Sequence, residues 1–113
     1  MIDIIIPVYN SKKTIFKTLD SIVNQSIKDL VIVYIIDDGS VDVYDEIISK
    51  YKKFLNLEFH KLPKNMGPGY ARQYGIDHSK GKYIMFIDSD DILYDDDSLK
   101  KIYDTIEAEN YDV

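Results

Sequence analysis

Six aspartates lie between Asp88 and Asp97 with no lysine or arginine among them. Three of these, Asp88, Asp90 and Asp91, fall within the tetrapeptide Asp88-Ser89-Asp90-Asp91, directly after the apolar pair Phe86-Ile87. Carboxylates concentrated at a strand end make a hard-oxygen site suited to Mg²⁺ or Mn²⁺, left open so that substrate phosphates supply the remaining ligands. The competing reading is a solvated acidic turn before a helix. It suits Asp95, Asp96 and Asp97 better, because acids are favoured at a helix N-terminus. Such a face repels a nucleic-acid backbone, which needs basic residues. It also repels a diphosphate unless a divalent cation lies between them.

A second polar turn is Asp37-Asp38-Gly39-Ser40. A carboxylate accepts from an N–H, and the imide of a uracil ring is a natural donor to Asp38. Gly39 allows a sharp turn toward a ligand. A strand-ending turn closed by an N-capping serine accounts for the same residues. With its side chain in a cleft, Asp38 is expected to matter little to stability. Tyr9 offers a ring for a flat base to stack on, or is one more core aromatic in a chain of ten tyrosines. Arg72 is placed to meet a phosphate, a site aspartate, or only a surface ion partner. Asn65 and Gly67 read as the shapers of a tight loop. His60 and His78 have no partner at catalytic spacing and are expected on the surface. The sequence contains no Walker-type loop, GxGxxG, zinc-ligand spacing or Ser/His/Asp arrangement.

Strands and helices must bring these turns together. Ile4 to Ile6, Leu30 to Ile36 and Tyr83 to Ile87 are continuous apolar runs, the pattern of parallel strands covered on both faces. Leu57 to Leu62 carries Glu58, His60 and Lys61 and suits an edge strand. Between them, Ile15, Leu19, Ile22 and Val23 recur at helical spacing after a start at Asn10 or Ser11. Tyr44, Ile47, Ile48 and Tyr51 make a second stripe, with Asp42 as its N-cap. Pro68 suits the first turn of a third helix that turns Ala71, Tyr74 and Gly75 inward. Leu99, Ile102, Tyr103 and Ile106 mark a fourth, capped by Asp97 or Ser98. The alternation predicts an α/β fold with a mainly parallel sheet in the order 3-2-1-4 and helices on both faces. Asn110 to Val113 read as the approach to a fifth strand. Ligands of such sheets bind beyond the carboxyl ends of the strands, where all the polar turns fall.

The totals agree with this class. A chain of 113 residues, 45% hydrophobic and 30% charged with net charge −6, is one soluble globular domain at most. No apolar run approaches the ~18–20 residues of a membrane span. The N-terminus lacks the basic region of a signal peptide. There is no cysteine, so disulfides and thiolate metal sites are excluded and a cytoplasmic location is expected.

Taken together, Ile5-Ile6-Pro7-Val8-Tyr9-Asn10, Asp37-Asp38-Gly39-Ser40, Asn65-Met66-Gly67 through Ala71-Arg72, and Phe86 to Asp91 resemble glycosyltransferase family 2 in order and spacing. The last segment resembles its DXD motif. The resemblance implies a Rossmann-like half of a GT-A fold. It also implies inverting transfer from a nucleoside diphosphate sugar, UDP-linked, to a glycan or lipid-linked acceptor in polysaccharide or cell-surface glycan synthesis. It implies that Pro7 and Tyr9 flank the base, with Asp38 on the uracil imide and Asp88 near the ribose. Ser89 and Arg72 join the nucleotide set, and Asp90 holds Mn²⁺ or Mg²⁺ with Asp88 and Asp91. The family's general base and acceptor-binding elements lie downstream of Val113. Residues 1–113 are therefore expected to be the nucleotide-sugar-binding part, inactive alone, of a protein working in the cytoplasm or at the inner face of the membrane.

Two other readings stand beside this one. The first is a non-catalytic nucleotide-binding module. The second is a phosphoryl-transfer α/β domain. Receiver domains place the acidic doublet on the first strand and use a late lysine, and dehalogenase-type phosphatases carry a DxDx[TV] run on the first strand. This sequence has neither pattern.

Overall fold

The computed structural model describes residues 1–109, and the expectation for Asn110 to Val113 lies outside the described residues. Four strands, β1 (Ile2–Val8), β2 (Val31–Asp37), β3 (Asn56–Lys61) and β4 (Tyr83–Phe86), alternate with four helices. These are α1 (Lys12–Val23), α2 (Asp45–Tyr51), α3 (Pro68–His78) and α4 (Ser98–Glu109). The strands form one sheet in the order β3-β2-β1-β4, and every pairing is parallel. The expected order and direction therefore hold.

Alternation along the strands sorts the core into two layers. Ile2, Ile4, Ile6 and Val8 of β1 join Val31, Val33 and Ile35 of β2 in one cluster with Ile15, Leu19 and Ile22 of α1. Ile48 and Tyr51 of α2 and Leu99 of α4 belong to the same cluster. Ile5, Tyr34 and Ile36 point the other way and pack with Ala71 of α3 and Leu62. Helices α1, α2 and α4 thus cover one face and α3 the other. Gly75 lets α3 lie directly on β1, since a Cβ there would come within 2.5 Å of Ile5 Cγ2.

Three details differ from the sequence reading. Helix α2 begins at Asp45 with Tyr44 in the N-cap position, not Asp42. The Asp42 carboxylate instead accepts from the Lys12 amide of α1 at 3.3 Å. Buried Tyr44, whose hydroxyl accepts from the Ser11 amide at 2.9 Å, ends up before the helix because it ties the entry of α2 to that of α1. Strand β4 stops at Phe86, which is 43% exposed. This strand pairs only with β1, so among the described residues it is an edge rather than an interior strand. Finally, His78 is exposed as expected and His60 half-buried, but the two are not isolated. Their rings lie 5.2 Å apart, and Tyr74 stacks on His78 at 4.0 Å while its hydroxyl meets His60 Nδ1 at 3.2 Å. Residues on β3 and α3 that are distant in sequence meet on one side of the sheet. No described helix is long and apolar enough to cross a membrane.

Candidate functional site

Parallel strands put the turns after β1, β2 and β4 and the β3–α3 loop on one edge, and side-chain bonds then tie these turns to one another. Asn10 sits at φ 50°, a left-handed conformation that asparagine tolerates. Its amide donates to Ser40 Oγ at 2.7 Å, and its side-chain oxygen accepts from Val41 N at 3.0 Å. The β1 and β2 turns are thereby locked. Asp37 caps its own turn, accepting from Ser40 N at 2.9 Å.

Asp38 is only 3% exposed. Its two oxygens accept the amides of Met66 at 2.7 Å and Gly67 at 3.0 Å, so this carboxylate holds the β3–α3 loop. The expectation that it matters little to stability does not survive this geometry. Gly39 has a related task. At φ 76° it is left-handed, and a Cβ would lie 2.5 Å from Asn65 N and from the Lys64 carbonyl carbon. The glycine is required by the neighbouring loop's backbone rather than by close approach to a ligand. Gly67, at φ 95°, completes the tight loop expected from Asn65 and Gly67, and Asn65 Oδ1 accepts its amide at 3.1 Å.

Around these turns lies an open cavity of about 320 Å³. Pro7, Tyr9, Asp38, Arg72, Asp88, Ser89 and Asp90 all line it, so the structure gathers every residue expected to touch the nucleotide. Ser11, Asn65 and Pro68 line it as well, although the sequence suggested only caps and loop shaping for them. Tyr9 is 51% exposed, which removes the core-aromatic alternative and leaves a ring face open to the cleft. Arg72 Nη2 lies 3.4 Å from Asp88 Oδ1, so of its three expected partners the structure gives it a site aspartate. Both side chains are substantially exposed, and the pair orients the guanidinium more than it stabilises the fold.

Asp88, Asp90 and Asp91 each offer a carboxylate oxygen, and these oxygens lie within 4.8 Å of one another. All three residues are exposed, which leaves coordination positions free for phosphate and water. An all-oxygen, open donor set of this kind fits Mg²⁺ or Mn²⁺. A turn closed by Asp91 N donating to Asp88 O at 3.0 Å shapes the cluster. Ser89 Oγ bonds Ser11 Oγ at 2.9 Å, linking this turn to the start of α1. Asp95 stands apart, bound to Lys101 Nζ at 2.7 Å and to Asp97 N at 2.8 Å, and the lysine holds its carboxyl below the usual range. It belongs to the approach to α4, as expected.

The sequence reading also passed over the inner edge of α1 and Gln25 just past its end. Thr18, Ser21 and Gln25 are buried, and each bonds the backbone of the segment from Ser89 to Leu99. Their spacing follows the Ile15–Leu19–Ile22 stripe, and that adjacency was the signal available for seeing them as inward-facing.

Comparison with known proteins identifies the family. The profile of Glycosyl transferase family 2 matches residues 3–113. An uncharacterized glycosyltransferase of Rickettsia felis is 45% identical over 96 residues, which is 84% of this chain and 15% of that protein. The minor teichoic acid biosynthesis protein GgaA of Bacillus subtilis is 37% identical over 110 residues, 92% of this chain and 24% of that protein. A crystal structure of Staphylococcus aureus TarS in complex with UDP-GlcNAc superposes with TM-score 0.90 at 33% identity, covering 96% of this chain and 32% of the TarS chain. The present chain thus spans a quarter or less of the length of these two curated relatives. With a profile match across nearly its whole length, and a fold that superposes on TarS, the chain belongs to glycosyl transferase family 2.

Proposed function

We propose that this chain binds the nucleoside diphosphate sugar, UDP-linked, from which a glycosyltransferase passes a sugar to an acceptor hydroxyl with inversion at the anomeric carbon. The observation that carries the reading is the cavity at the strand ends, which has a ring, a carboxylate and an acidic cluster on its walls. In this reading Tyr9 and Pro7 hold the base, and the half-open ring of Tyr9 provides the stacking face. Asp38 accepts the uracil imide with lone pairs left over from the Met66 and Gly67 amides. Ser89 and Asp88 border the ribose, and Arg72 reaches a phosphate once it leaves Asp88.

Asp90, with Asp88 and Asp91, would hold Mn²⁺ or Mg²⁺. When bound, the cation offsets the charge developing on the diphosphate leaving group. The aspartates otherwise repel that diphosphate. The short share of its relatives that the chain spans supports residues 1–113 as the donor-binding part of a longer enzyme. The names of GgaA and TarS, the latter described as a poly(ribitol-phosphate) beta-N-acetylglucosaminyltransferase, support an acceptor on a cell-surface polymer.

The test is calorimetric titration of the chain with UDP in Mn²⁺ and in EDTA. Binding is expected with Mn²⁺ and hardly any with EDTA, and Asp90→Asn should remove most of the difference. Equal affinity in Mn²⁺ and EDTA would refute the metal role of Asp90. No UDP binding in either condition would refute the nucleotide reading.

A further inference from the structure

Thr18 lies in the interior of α1, fully buried, where a threonine usually satisfies its hydroxyl on its own helix. Here the hydroxyl leaves the helix. Its oxygen lies 2.5 Å from the Asp91 carbonyl and 3.1 Å from the Ser89 carbonyl, and its single proton is shared between them. Those carbonyls flank Asp90 on either side. One turn further, Ser21 Oγ accepts from Leu93 N at 3.1 Å, and Gln25 binds Asp95 O and Leu99 N at 2.8 and 3.0 Å. The inner edge of α1, continued by Gln25 just past its end, is therefore a polar rail along which the passage from Ser89 to Leu99 is laid down.

We propose that Thr18 is a positioning residue for divalent-cation binding. It touches neither cation nor nucleotide, yet it fixes the backbone from which Asp88, Asp90 and Asp91 converge. This rests on the metal reading of the acidic turn. Three exposed carboxylates within 4.8 Å repel one another, and without a restraint on the backbone the turn relaxes by opening. Thr18 supplies the restraint from beneath, on two part-buried carbonyls that accept no other bond among the described residues. Ser21 acts on the same segment but beyond the acidic turn, at Leu93, so it shares the structural burden without the positioning role.

The experiment compares Thr18→Val, Thr18→Ser and Ser21→Ala with the unmodified chain. Two readouts are taken: Mn²⁺ affinity in the presence of UDP, followed by electron paramagnetic resonance, and metal-free hydrogen exchange at the Asp91 amide, which donates to Asp88 O. Thr18→Val keeps the shape and loses the hydroxyl. It should weaken Mn²⁺ at least about tenfold, the scale for groups that orient metal ligands, and should lose Asp91 protection. Thr18→Ser should restore both. Ser21→Ala should lower the melting temperature while leaving Mn²⁺ affinity within about twofold of the unmodified chain, well under that tenfold scale. Unmodified affinity and protection in Thr18→Val would overturn the proposal, as would an equal loss of affinity in Ser21→Ala. If Asp90→Asn binds Mn²⁺ as well as the unmodified chain, the metal assignment fails, and the Asp91 exchange alone then decides whether Thr18 holds the turn.

Discussion

Each oxygen of the Asp38 carboxylate accepts one backbone amide, from Met66 and from Gly67, and each keeps a second lone pair directed elsewhere. The residue is thus asked to hold a loop and, in the proposed function, to read a base. Asparagine cannot do the first task fully, because its NH₂ must face one of the two amide donors. Asp38→Asn should therefore cost about 1 kcal/mol of stability, the net worth of one hydrogen bond, because Asn65 Oδ1 still accepts the Gly67 amide. It should also weaken UDP binding. Urea unfolding and calorimetry measure the two effects separately, and an unchanged unfolding midpoint would contradict the loop-holding role. The place of Asp38 at the strand-end cavity was legible from its position after an apolar run. Its double bond to Met66 and Gly67 was not, because the partners lie nearly thirty residues away and are backbone atoms with no sequence signature. The acidic turn was the easier case, since charge density shows in composition alone. Thr18, Ser21 and Gln25 were harder. A polar residue beside a helical stripe signals an inward face, but it does not name the segment that will bury it.

The strands were the most legible elements because apolar runs rich in isoleucine and valine have few other uses, and their alternation with helices leaves little choice of sheet order. Strand β4 departs from that logic. It is as apolar as β1 but short and one-sided, and its side chains Tyr83, Ile84 and Met85 line an apolar groove with Leu99, Ile102 and Tyr103 of α4. Apolar content marks a strand without saying how many neighbours it has. Helix α3 was legible from Pro68, but the closeness of its packing rests on a single missing side chain. Adding a methyl at Gly75 gains about 1 kcal/mol of helix propensity. The same methyl drives into Ile5 at 2.5 Å, and overpacking costs about 1–3 kcal/mol. Gly75→Ala should thus be a net loss of about 1 kcal/mol. It should also weaken UDP binding, because α3 carries Arg72 one turn earlier. Gly69→Ala, in the same helix with nothing within 4 Å of its Cβ, should be neutral or stabilising. Equal melting temperatures for the two variants would show that α3 has room to shift outward and that Ile5 does not fix its height.

At the scale of the whole molecule, the ten tyrosines set a limit that neither the sheet order nor the site foretells. Tyr34, Tyr44 and Tyr51 are each no more than 2% exposed, and burial, before any other cause, raises the pKa of all three above the usual 10.0. Nearby carboxylates add to the shift: Asp3 at Tyr34, Asp37 and Asp42 at Tyr44, and Asp20 at Tyr51. A folded-state pKa raised above the unfolded value makes the neutral phenol the form that folding favours. The contribution is therefore fully present below pH 10 and is lost as pH rises beyond it. Each such tyrosine steepens the loss by up to about 1.4 kcal/mol per pH unit, so three approach about 4 kcal/mol per unit. Against a total stability of about 5–15 kcal/mol, such a slope removes a large part of the stability above pH 10. Urea unfolding between pH 7 and 11 should therefore show a plateau to about pH 9 and a steep fall above pH 10, with the buried tyrosines' share of the tyrosinate absorbance rising together with the loss of structure. Tyr34 isolates one contribution, because its hydroxyl is buried without a hydrogen-bond partner of good geometry among the described residues. Tyr34→Phe keeps the ring in the core and removes only that hydroxyl. It should be at least as stable as the unmodified chain at pH 7 and should fall about a third less steeply above pH 10. A slope unchanged by Tyr34→Phe would mean that this phenol ionises no later in the folded chain than in the unfolded one.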